Sequence, residues 1–369
     1  YIRRKVCQNI PNNLSTSREP NWPAVLFFIH IHLLSLYGIW LIIFEAKLLT
    51  TALLVALTLL AILGVTTGAH RLWAHSTYKA NTNLRIALML LQTMAGQGSI
   101  YDWVQNHRFH HAYFKTDIDP YDCRKGFLYA HFLTRIRKHS QYQEALKNSI
   151  DMSDLEDDSV VMFQKRFYWI LYGILFLLLP LNAPLEYWDD SVLCTVFIIG
   201  FFRYALVLHA SWLLESGVCV WGLKEGEKYP PDSNSVFLLN RTFWPEYHYI
   251  YPNDYKSGEF GTYGNNVARV DLRRVLTGSS ASLFFLIRIK HLNFSNLLLL
   301  FFFSGAGCST AFIRVYAALG LATNLSTIES RTLQKALADH LKSKIPLNES
   351  FKDAIAKQTL PEDHFLVTN

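Results

Sequence analysis

The sequence predicts a helical membrane protein with four spanning helices and a sizeable polar part. Three observations predict it. The 369-residue chain is 51% hydrophobic and 14% aromatic but only 17% charged, too apolar for an ordinary soluble enzyme and too charged for a bare membrane bundle. Four apolar runs approach the roughly 20 residues that cross a bilayer. The long stretch between the second and third of them, 71–166, is rich in Lys and Arg.

The first run is 24–46, "AVLFFIHIHLLSLYGIWLIIFEA", and the second is 48–69. Almost nothing separates them, so they form a tight helical hairpin. His30 and His32 lie inside the first run and read as core or headgroup-level packing. Residues 84–94 are apolar but short, which suits an interfacial helix lying on the membrane. The third run, 168–180, reaches back to Phe163, and the fourth is 192–214. Their connection, "LNAPLEYWDDS", is acidic. The positive-inside rule then places 71–166 in the cytosol and the two short connections on the far side. A fifth apolar stretch, 296–305, is too short to span. There is no internal repeat or low-complexity linker, so 1–369 reads as a single domain.

The net charge of +6 suits a face turned toward anionic lipid or an anionic substrate. No basic run is interleaved with aromatics, so nucleic acid is not an expected partner. The five cysteines, Cys7, Cys123, Cys194, Cys219 and Cys308, form no CxxC and read as free thiols in a reducing compartment. No secretory signal is visible. The chain opens on Tyr1 rather than Met, which reads as a fragment.

The chemistry sits in the histidines. In "NHRFHH", His107, His110 and His111 follow i, i+3, i+4 spacing, which puts them on one helical face. The second span runs straight into "GAHRLWAH", bringing His70 and His75 to the same membrane surface. A chance cluster on a solvated face explains one such group, but not two on the same side. Neutral imidazole is the commonest metal ligand, and five of them suit a nitrogen-rich iron or zinc site with more than one metal.

The strings "GAHRLWAH", "GQGSIYDWVQNHRFHH", "TDIDPYDCRKGFLYAH", "VVMFQKRFYWILYGI" and "NDYKSGEFGTYG" resemble the membrane acyl-CoA desaturases, in particular the insect branch of the stearoyl-CoA desaturase family. The likeness runs roughly from Trp22 to Ile328. It implies an all-α membrane fold: four transmembrane helices under a cytosolic helical cap that holds a di-iron-type site above an acyl tunnel. It also implies O2-dependent desaturation of a fatty acyl-CoA, Delta-9 by default, at the endoplasmic reticulum membrane. Cytochrome b5 and its NADH reductase would be separate electron-donating partners. The resemblance places Gln97, Trp103, Ser211 and Trp212 at the tunnel bend and Lys138 toward the CoA phosphates. No catalytic residue beyond the metal ligands is implied.

The third histidine box departs from the family pattern. Its slots hold Pro245, His248 and Tyr249, and a further ligand segment reads "ESGVC", with Glu215 in place of an asparagine and Cys219 in place of a histidine. The implied metal ligands are His70, His75, His107, His110, His111 and His248, with Glu215, Cys219 and Tyr249 as doubtful ones. Glu215 and Cys219, four apart on a helix, either coordinate directly or mark a weakened site with fewer than two irons and impaired desaturation. The alternative is therefore a catalytically impaired, acyl-CoA-binding relative. A fatty-acyl hydroxylase, which shares the box logic, ranks third.

The recognisable core is 22–264 and 306–328. The intervening 265–304 is an atypical insertion that ends in "NLLLLFFFSGAG". Its codons would be pyrimidine-rich before an AG, so it reads as translated intron. A real membrane-surface hairpin is the competing reading.

Overall fold

The computed structural model describes residues 14–217, 219, 248–249, 251–255, 309–310, 312–327 and 349. Pro245 and the insertion 265–304 lie outside them, as does the short apolar stretch 296–305. The chain divides into two compact units, one comprising 1–76 and 80–220 and the other 77–79 and 221–369.

The first unit carries the four spans, Trp22–Phe44, Leu48–Ala74, Ser159–Trp188 and Val192–Ser216. Helix α1 (Trp22–Phe44) starts where the Asn21 side chain accepts from the Ala24 N–H, with Pro in its first turn. Its 23 residues reach about 34 Å at 1.5 Å per residue, enough for a hydrocarbon core of about 30 Å. Leu26, Ile29, Leu33, Leu36 and Ile43 are exposed on it, as a lipid-facing surface requires. Helix α2 (Leu48–Leu63) continues as a π-helix, Gly64–Ala74.

The far-side connections are tied together. Lys47 Nζ donates to the carbonyls of Trp188 and Asp189 at 2.7 and 2.5 Å, and Trp188 Nε1 donates to Thr50 Oγ1 at 2.8 Å. Asp190 accepts from the Lys47 N–H and the Thr50 hydroxyl. One carboxylate thus clamps both hairpins at the same end.

Between spans two and three lie β1 (Lys79–Ala80), α3 (Thr82–Met94), α4 (Ile100–Tyr113), α5 (Gln141–Asn148) and α6 (Ser153–Glu156). Helix α3 buries Leu84, Leu88 and Met89 and exposes Ile86 and Leu90. The third span is α7 (Ser159–Tyr172), a π turn at Gly173–Leu178 and α8 (Leu179–Trp188). The fourth is α9 (Val192–Cys194), a π stretch Thr195–Phe202 and α10 (Arg203–Ser216). Arg203 is fully buried there, donating to the carbonyls of Ile199 and Phe176, both at 2.7 Å. Backbone groups inside a membrane need such partners wherever regular helix gives way.

The second unit carries β2 (Ala322–Thr323). The Ser326 N–H donates to the Thr77 carbonyl and the Tyr255 N–H to the Ser326 carbonyl, both at 2.9 Å. Gly320 and Asn324 sit at positive φ, 69° and 52°, which turns the chain into and out of that strand.

Candidate metal centre

The second span does not keep α-helical pitch to its end. The His75 N–H bonds to the carbonyl of His70, five residues back, at 3.1 Å. A π turn adds a residue per turn and recurs at functional sites. Here it brings residues five apart onto neighbouring turns of one face, and the His70 and His75 rings meet edge to face at 4.8 Å. In a regular α-helix, residues five apart diverge.

Helix α4 supplies the other imidazoles, and its position is heavily determined. Ser99 caps it by accepting from the Asp102 N–H. The buried Gln164 accepts from the Ile100 N–H at 2.7 Å and donates to Gln92 Oε1 and Thr93 Oγ1 at 2.6 and 2.7 Å. Arg108, wedged among the histidines, grips Asp154 with two bonds of 2.7 and 2.6 Å and donates to the Trp73 carbonyl at 2.8 Å. That guanidinium therefore locks α4 to the end of the second span, which is what holds the two histidine clusters in register.

The result is convergence. His75 Nε2 and His107 Nε2 face each other at 2.9 Å. One ligand atom each from His70, His75 and His107 lies within 4.8 Å of the others, and all three are buried. The His111 ring sits 4.5 Å from that of His75 and 4.7 Å from that of His107. Trp103 stacks on His107 at 5.1 Å. Two metal–nitrogen bonds of about 2.1 Å at right angles would set their nitrogens about 3 Å apart, so the spacing of these donors fits a shared ion. Burial pushes the His107 imidazole below its ordinary pKa, which favours the neutral, ligating form.

His110 is held differently. Its Nδ1 is 2.8 Å from Asp119 Oδ1, both fully buried. Burial alone would lower its pKa, but the carboxylate outweighs burial and raises it. A carboxylate behind a histidine fixes its tautomer and orientation at metal sites. Asp119 was visible in "TDIDP", but nothing in its sequence neighbourhood says that it faces His110.

Glu215, at the end of α10, puts Oε2 on Arg135 at 2.8 Å and Oε1 3.7 Å from His107 Nδ1. Its carboxylate is thus engaged by a guanidinium while facing the back of a convergent imidazole. The Cys219 and Cys123 thiols are both free and close enough to perturb each other's ionisation. Gln97 donates to the Val207 carbonyl at 3.0 Å, and Trp103 Nε1 donates to Ser211 Oγ at 3.4 Å. Trp212 is buried beside Phe28, at 5.1 Å. These four tunnel-bend candidates therefore gather along the fourth span. Lys138 is exposed, with its backbone N–H on the Glu19 carbonyl. His248 and Tyr249, in the second unit, are helical, His248 is buried, and their rings are 5.6 Å apart.

No family model matches the chain. It is 40% identical over 253 residues to the "Acyl-CoA Delta-9 desaturase" of Acheta domesticus, which covers 68% of this chain and 70% of that one. It is 38% identical over 261 residues to the "Acyl-CoA Delta12-desaturase" of the same species, covering 69% and 73%. It is 35% identical over 243 residues to "Stearoyl-CoA desaturase 4" of Mus musculus, covering 65% and 68%. Identity at this level across two thirds of both chains, on a four-span scaffold whose second span ends in convergent imidazoles, places the chain in the acyl-CoA desaturase family.

Proposed function

We propose that this protein desaturates a fatty acyl-CoA with O2, using iron held by His70, His75, His107, His110, His111 and His248 and electrons from cytochrome b5 and its NADH reductase. The observation that carries the reading is the buried approach of His75 and His107, 2.9 Å between Nε2 atoms, beside His70. Iron bound by imidazoles would supply the oxidising strength to take hydrogen from an unactivated chain. The chain's own residues do the rest. Trp103 and Ser211 join α4 to α10, which fixes the walls along which an acyl chain would lie. Trp212 and Phe28 line the span side with apolar rings, and exclusion of water protects a reactive centre from side reactions. Asp119 holds the His110 ring in one orientation. Delta-9 regiochemistry, the endoplasmic reticulum and a cytosolic orientation complete the proposal.

A second reading is a weakened centre. The closeness of Cys219 to Cys123 and the Glu215–Arg135 ion pair give both residues neighbours other than a metal. Iron content of the purified protein and the fatty acids of a desaturase-deficient yeast expressing it test both readings. Two irons per chain and new double bonds support the enzyme. Fewer irons with no new double bonds, both restored by Pro245→His, Cys219→His and Tyr249→His together, support the weakened centre. Hydroxy acids in place of double bonds would overturn the desaturase reading.

A further inference from the structure

Residues 15–21, ahead of the first span, lie antiparallel along 134–142, and the pairing is by backbone. The Asn21 N–H donates to the Ile136 carbonyl at 2.8 Å, the Lys138 N–H to the Glu19 carbonyl at 2.9 Å and the Tyr142 N–H to the Ser15 carbonyl at 3.2 Å. Pro20 is bridged to Arg137. One side chain completes the strap. Arg18 Nε donates to the Lys138 carbonyl at 3.0 Å. Its Nη2 donates to the carbonyls of Thr134 and Arg137 at 2.9 and 3.0 Å. Its Nη1 meets Thr134 Oγ1 at 2.9 Å and the Tyr129 hydroxyl and Pro120 carbonyl, both at 3.3 Å. Every nitrogen of the guanidinium thus bonds to 134–138. That segment lies between the π turn Tyr129–Leu133 and α5, where carbonyls have no helix of their own to bond and need partners from elsewhere. A Lys ammonium, with three donors against five, could not grip it in the same way.

The segment so held runs from the inside of the first unit to its surface. Arg135 points inward, 2.8 Å from Glu215 and 5.3 Å above the Trp212 ring. Two and three residues later, Arg137 and Lys138 are exposed. Among the described residues neither enters an ion pair. Three residues of chain span at most about 10 Å. A ligand whose tail lies beside Trp212 therefore meets two adjacent cations within that distance, where the apolar wall ends. A fatty acyl-CoA has this form, an apolar tail followed by anionic phosphates. Phosphates take strong charge-assisted hydrogen bonds from Arg and Lys, and cations whose backbone is already fixed have less freedom to lose on binding.

We propose that Arg18 is a positioning residue for the anionic head of the acyl-CoA. It acts through Arg137 and Lys138, whose backbone it fixes at the surface end of 134–138. It touches no substrate itself, since its donors are taken by protein acceptors. This rests on the acyl-CoA reading above.

The test compares two probes with the same tail. Stearoyl-CoA and stearate are titrated, without O2, into the protein in phosphatidylcholine nanodiscs, which hold no anionic lipid. Only stearoyl-CoA carries phosphates. Arg18→Gln should weaken stearoyl-CoA binding by about 10-fold, the worth of one charge-assisted hydrogen bond, and leave stearate binding unchanged. In turnover, KM for stearoyl-CoA should rise by the same factor while kcat holds. Arg137→Gln with Lys138→Gln keeps every carbonyl that Arg18 grips but removes both cations. It should show at least as large a selective loss, and Arg18→Gln added to it should change nothing further, because residues that act through one another are not additive. A residue that only stabilises the fold would weaken both probes alike and add its loss to the double variant. Equal loss of both probes, or a further loss on adding Arg18→Gln, overturns the proposal and leaves the acyl-CoA reading intact. So does an Arg18→Gln protein that binds stearoyl-CoA as the original does. Where Arg18→Gln lowers the folded yield, Arg18→Lys, which keeps the charge with fewer donors, is read against the same outcomes. An original protein that binds stearoyl-CoA no more tightly than stearate removes the acyl-CoA reading and the proposal with it.

Discussion

At the scale of single residues, the site depends on side chains that hold other side chains. His75 and His107 each lose a facing nitrogen if the other is removed, so His75→Ala or His107→Ala should abolish metal retention. Asp119→Asn should act at one remove. The His110 ring keeps a partner but loses the carboxylate, and the expected loss is about 10–100-fold in metal affinity, read by competition with a chelator. Arg135 is a different case. It pairs with buried Glu215 and lies over the Tyr121 and Trp212 rings at 4.2 and 5.3 Å. Arg135→Met would leave a buried carboxylate unpaired, and losing one partner of such a pair costs about 3–5 kcal/mol. Thermal unfolding in detergent should show it, and Arg135→Met with Glu215→Gln should recover most of the loss. Of these residues, His107 was legible from its i, i+3, i+4 spacing and His75 from its place at the end of the second span. Asp119 and Arg135 were not, because each finds its partner through a fold that folds the chain back on itself.

At the scale of elements, pitch and close approach decide function. The π-helical end of the second span aligns His70 with His75, and it begins at Gly64. A Cβ at Gly64 would meet the backbone of Leu91 and Gln92 at 2.4 Å. Backbone cannot step aside as a flexible side chain can. Gly64→Ala should therefore cost about 1–3 kcal/mol and lower metal content along with folded yield. Helix α5 offers a pH test. His139 lies just before its capping box at Ser140, and burial, with Lys147 and Arg18 nearby, holds the imidazole down at about 4. Its unfolded value is about 6.5, so the unfolded chain takes the proton first. The stability it contributes is complete above about 6.5 and is lost as pH falls toward about 4. His139→Gln should flatten the fall in melting temperature across that window. Membrane helices were legible because their length and apolarity are properties of a segment. The π turns were not, since local hydropathy is the same for either pitch.

At the scale of the whole molecule, the four spans and the Asp190 clamp set the two short connections at one membrane face. A cysteine reporter placed in 45–47 should react only with a reagent that reaches the lumen, and one at 115–117 only with a cytosolic reagent. The opposite pattern would remove the cytosolic orientation. The sequence by itself determined the family, the spans and the first two histidine clusters, because apolar length, i, i+3, i+4 spacing and contiguous motifs are local quantities. Only the tertiary structure decided which imidazoles converge, that Arg108 locks the two clusters together and that Glu215 answers to Arg135. It also turned His32, expected as packing, into a hydrogen-bonded partner of His209. These are distances between residues as many as 177 positions apart, and they exist only once the spans have packed and brought their polar groups to partners that water no longer supplies.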